Sequence, residues 1–260
     1  IEILPVGSLS PAQNRVARKL LLSAARVPLG QMQPQLGFEN QDRKPETETF
    51  LIRRLQKISE TGRLDDLLDF FELLPPDFSD NKIRQLKVDT ALLDGDAIGA
   101  CAIAEEARVE DGASRWLKIL TYCQALEGNH AGVSFNLSIL EESGELSELF
   151  TQLIEDVVVL SEGSFDQNML ARQANITEED NLTPLLIAMV RTTGQEPSFE
   201  VLINESVRNL AALTRRADLS SDFRAKIGKK AALRGALTPS DLASVYKGLD
   251  YTEGERGSVY

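Results

Sequence analysis

The chain has little of what most enzymes and metal proteins are built around. It carries one histidine, His130, and two cysteines, Cys101 and Cys123. A zinc site made from cysteine and histidine needs about four such ligands, so a structural zinc is not expected. A nucleophile and base pair would have to use His130, which falls at the start of a predicted helix with no orienting third group in view. Neither GxxxxGK[ST] nor GxGxxG occurs, and Gly228-Lys229-Lys230 lacks the leading glycine and the preceding strand of a phosphate loop. The acid pairs Glu105/Glu106 and Glu141/Glu142 read as solvated helix surface, because a working carboxylate pair needs burial that their neighbours do not offer. The expectation is a protein that is not an enzyme and carries no cofactor and no metal.

Long apolar runs are missing too. The most apolar runs, such as 157–160, are only a few residues long, far short of the roughly 20 residues that cross a bilayer, so membrane insertion is not expected. No alternating apolar and polar stretch is long enough for a strand, which leaves an all-α chain. Cationic charge is scarce: 28 Lys and Arg against 40 Asp and Glu give a net charge of −12, and such a surface repels nucleic acid. Apolar content of 42% supports a folded core nonetheless.

What is present is a period. Glycine recurs every thirty-three residues at Gly62, Gly95 and Gly128, each between two apolar-periodic segments of helical length. Glycine tolerates positive φ, so each reads as the turn between two antiparallel helices. Twelve residues before each stand Phe50, Ile83 and Trp116. At five, nine and twelve residues after them all three units are apolar: Leu67, Phe71 and Leu74; Ala100, Ala104 and Ala107; Val133, Leu137 and Leu140. These offsets make one stripe on a helix, and only stacking against neighbouring units buries it. A fourth unit follows at Gly163, with the spacing slipped by two. The expected architecture is an α-α superhelix of stacked hairpins.

Three regions follow. Residues 1–46 hold an amphipathic helix, N-capped by Ser10 with Pro11 at its first position, and a loop over 28–46. Residues 47–175 carry the repeats. Residues 176–260 hold further helices, opening at Thr183-Pro184, near 205 and near 221, with a last one at Thr238-Pro239, and are expected to continue the array. A chain beginning at Ile1 and ending in a polar stretch over 251–260 reads as a piece of a longer protein, and what precedes it has room for a targeting signal.

Cys101 and Cys123 fall on helices adjacent in such a stack, at comparable heights. They read either as a disulfide or as two reduced, packed thiols. A disulfide would place the chain in an oxidising compartment, periplasmic or secreted. Charge is also segregated: 141–180 holds eleven acids and only Arg172, whereas 205–234 holds eight cations against three acids. That asymmetry suggests head-to-tail self-association or contact with a larger complex.

Across 49–143, Trp116, Leu120, Gly128 and Leu137 in one unit, and Gly95, Ala100, Ala104 and Ala107 in another, resemble the tetratricopeptide repeat. The match departs from the pattern at Leu55, Val88 and Thr121, where the family has a small residue, and at Ile58, Ala91 and Gln124, where it has an aromatic. The resemblance implies that the first helix of each unit lines an inner groove. There it would place Thr49, Ile52, Gln56 and Ser59, then Lys82, Gln85, Asp89 and Leu92, then Arg115, Lys118, Tyr122 and Ala125. Lys82, Gln85, Asp89, Arg115, Lys118 and Tyr122 are thus the expected partner-binding set, suited to an extended acidic segment of another protein. The expected function is a protein-protein interaction scaffold or assembly subunit. The alternative is a non-catalytic helical domain of a larger enzyme, such as a cell-wall lytic enzyme.

Overall fold

A computed structural model describes residues 3–23, 46–74, 80–110, 112–163, 176 and 182–247. Among these every regular element is a helix. In chain order they are α1 (Pro11–Leu22), α2 (Glu46–Glu60), α3 (Leu64–Glu72), α4 (Asn81–Asp94), α5 (Ala97–Glu110), α6 (Ser114–Leu126), α7 (His130–Glu142), α8 (Glu148–Ser161), α9 (Pro184–Thr192), α10 (Val207–Thr214), α11 (Ser221–Leu233) and α12 (Pro239–Lys247). A 3₁₀ turn over Val201–Asn204 precedes α10. The connection expected over 28–46, and the tail over 251–260, lie almost wholly outside the described residues.

Local chemistry starts these helices where hydroxyl and short polar side chains stand. Ser10, Asp80, Asn129, Ser147, Thr183, Ser206 and Ser220 each accept a hydrogen bond from a backbone N–H of the first turn, satisfying donors that the helix itself leaves free. At Thr238 the bond is reciprocal: its Oγ1 accepts from Asp241 N–H at 3.1 Å and its own N–H donates to the Asp241 carboxylate at 2.7 Å.

Helices α2/α3, α4/α5 and α6/α7 are the three hairpins, turning at Gly62, Gly95 and Gly128 with φ of 75°, 93° and 71°. Neighbouring helices pack in succession from α2 to α7, and α8 packs on α6, an arrangement compatible with a helical superhelix. Small residues let α4 to α6 approach: Ala100, Ala104 and Ala107 of α5 are fully buried against Trp116, Leu120 and Val88 in one core. Cys101 of α5 and Cys123 of α6 are joined by a disulfide with Cα atoms 5.8 Å apart.

The C-terminal helices do not simply lengthen this stack. Helix α9 packs on α8 and, at the same time, back on α4; α10 packs on α2 and α4. A second core results, in which Leu64 and Leu93 of the hairpins meet Ile187, Leu210, Leu213 and Ile227. The C-terminal helices, expected to continue the array, follow on from α8 and also return over α2 and α4, where the turns of the first two hairpins receive them. Arg191 donates to the Leu93 carbonyl at 2.8 Å, and its guanidinium lies where a Cβ on residue 95 would be. Gly62 is likewise seated against Ala236 and Val207, with room for a Cβ only 2.8 Å from the Ala236 methyl.

Candidate functional site on the inner helix face

The side chains that the repeat period aligns along α4 and α6 do share one face, and the C-terminal helices divide it. Spacings of three and seven residues put Lys82, Gln85 and Asp89 on one side of α4. Lys82 is exposed and Gln85 half-buried, whereas Asp89 is buried at 8% exposure. Arg115 of α6 donates to one Asp89 oxygen, and Arg208 of α10 stands 3.6 Å from the other. Arg208 also donates to Ser59 Oγ on α2 at 2.9 Å, so one guanidinium ties three helices together. Burial pushes the Asp89 carboxyl up, against the opposing pull of Arg115 and Arg208.

Further along the face the cover is complete. Tyr122 is 2% exposed, and its hydroxyl hydrogen-bonds Thr192 Oγ1 of α9 at 2.7 Å. Burial raises the Tyr122 pKa, so the phenol stays neutral. Lys118, at the edge, pairs with Glu145 at 3.2 Å. Of the six residues expected to line a groove, Lys82 is exposed, Gln85 is half-buried, Lys118 sits at a margin, and Asp89, Arg115 and Tyr122 contact the chain's own neighbouring elements.

What stays open is a cleft of about 490 Å³ between α2, α4 and the start of α10, lined by Gln56, Ser59, Glu60, Leu86, Ser206, Val207 and Arg208. Gln56 and Ser59 belong to the inner-face positions of the first unit; Ser206, Val207 and Arg208 come from a helix the repeat could not forecast. The signal for Arg208 was its place in a basic tract that needed acids to meet, and Asp89 is one of them.

His130 begins α7, half exposed, with Nε2 3.2 Å from Glu162 Oε1. Among the described residues no three of His, Cys, Asp and Glu gather as a metal would require, and no helix is long and apolar enough to cross a membrane. No protein-family model matches this chain, and neither a curated protein nor a solved structure matches it at a significant level.

Proposed function

We propose that this chain is a non-catalytic protein-binding module of the tetratricopeptide-like kind, a scaffold or assembly subunit that holds an extended, acidic partner segment. The observation that carries the reading is the open cleft among Gln56, Ser59, Leu86 and Arg208, next to the exposed Lys82 and half-buried Gln85 of the same α4 face. Its side chains offer donors, the apolar Leu86 and Val207, the cation Arg208 and one carboxylate, Glu60, which Lys57 pairs at 2.6 Å; donors and a cation beside apolar contacts are what recognition of an extended backbone with carboxylates uses. The part of the inner face covered by α9 serves stability instead. The Cys101–Cys123 disulfide supports work in an oxidising compartment, periplasmic or secreted.

The test is site-specific photo-crosslinking. A crosslinker at Gln56 or Lys82 is expected to trap one partner, and a crosslinker at Val109, exposed on the outer helix α5, to trap none. Equal trapping from the two positions, or trapping from Gln56 that survives Lys82→Glu with Gln85→Glu, overturns the reading.

A further inference from the structure

A second cavity, of about 340 Å³, lies where the N-terminal segment, the Gly62 turn and the α11/α12 turn come together. Arg15, Arg18, Arg63 and Arg234 all line it. Four guanidinium groups around one cavity repel one another, and on a chain of net charge −12 such a gathering calls for a reason. Two acids answer it in part. Asp66 accepts from Arg18 Nε at 2.6 Å and Nη2 at 2.7 Å, and from Arg63 Nε at 3.0 Å. Asp241 lies in the field of Arg63 while accepting from Thr238 N–H. Arg15 and Arg234 have neither an ion pair nor a hydrogen bond among the described residues. Four positive charges against two negative ones leave two to be matched.

The cavity adds more positive potential. Pro11 and Pro239, the first residues of α1 and α12, both line it, so two helix N-termini border the same space. The rest of the wall is largely apolar, with Val6, Leu237 and the two prolines. Its volume exceeds what a bare oxyanion fills and falls at the small end of organic-ligand pockets. Guanidinium forks match phosphate oxygens in geometry as well as charge.

We infer that this cavity binds the phosphate group of a small soluble phosphomonoester, with Arg15 and Arg234 as the forks that close on it and the apolar wall against its carbon part. The bound ligand bridges the N-terminal helix to the C-terminal hairpin and so holds the two ends of the described chain together.

The experiment is calorimetric titration of the full chain with sn-glycerol 3-phosphate and with inorganic phosphate, at ionic strength held constant with sodium chloride. Saturable binding is expected, tighter for the ester. Equal affinity for the two probes keeps the phosphate site and assigns it to the free ion. Arg15→Gln with Arg234→Gln is expected to weaken binding at least tenfold and to leave the melting temperature of the unliganded protein unchanged, since neither side chain has a partner to lose. The single Arg15→Gln, on an exposed helix position, is expected to weaken it at least threefold and serves if the double variant folds poorly. No saturable response to either probe, or unchanged affinity in the variants, overturns the site.

Discussion

Asp66 shows how burial and pairing compete at one carboxylate. Desolvation alone would push its pKa up, but the Arg18 hydrogen bonds and the fields of Arg63 and Arg18 outweigh it and hold the group below the usual carboxylate range. A depressed folded-state pKa contributes stability above the unfolded value, near 4, and loses it as pH falls through the folded one. Asp66→Asn is therefore expected to destabilise at pH 7, and the gap from the parent, measured by urea unfolding, to shrink between pH 4 and pH 2. Glycine gives a second residue-scale test. Gly62→Ala meets both a positive φ of 75° and the Ala236 methyl, and should cost about 2–4 kcal/mol by chemical denaturation. Gly144→Ala, at φ 70° with nothing nearby, should cost only about 1 kcal/mol. The period of thirty-three made Gly62 and Gly95 legible as turns. It could not show that Ala236 and Arg191 rest on them, because a close approach from a distant segment leaves no mark on local spacing.

Helices were the more legible level, since capping and apolar periodicity are local. Ser10, Thr183 and Thr238 start elements where the sequence places them, with Pro at the next position in each. Helix α10 starts two residues later than its expected position near 205, because Ser206 rather than Glu205 caps it and a 3₁₀ turn occupies Val201–Asn204. Between elements, the Cys101–Cys123 bond staples α5 to α6 across 22 residues. The loop-closure entropy it removes from the unfolded chain corresponds to about 3 kcal/mol. Replacing both cysteines by alanine is expected to lower the melting temperature by about 6–12 °C, read by calorimetry. A drop of less than 2 °C would mean that helix packing alone fixes the pair.

At the scale of the molecule, an open solenoid and this closed arrangement differ in how they unfold. In an open array each unit answers mainly to its neighbours, whereas here Leu93 of α4 and Leu210 of α10 share a core. Leu210→Ala should cost about 2–5 kcal/mol. Trp116, the one tryptophan, lies in the other core, and its fluorescence transition is expected to shift as far as the helical circular-dichroism transition does. A Trp116 midpoint left in place would show that the hairpins melt on their own. The resemblance to the tetratricopeptide repeat put Asp89 and Tyr122 on one groove-lining face, but it could not show that Arg208 and Thr192 of later helices meet them there, since the repeat says nothing of segments outside it. The basic tract over 205–234, read as a surface for another molecule, partly turns inward: Arg208 reaches Asp89, and Arg215 reaches Asp65 at 2.6 Å and Asp94 at 3.6 Å.

That last pairing also sets a clock. Arg215 and Asp65 are 150 residues apart, and a ribosome adds about 5–20 residues each second. For about 8–30 s of synthesis, then, the first hairpin exists before the helix that will seat against it. During that interval Leu64 and Leu93 have nothing from the C-terminal helices over them. A chaperone that shields apolar surface would meet this protein with just those two turns uncovered.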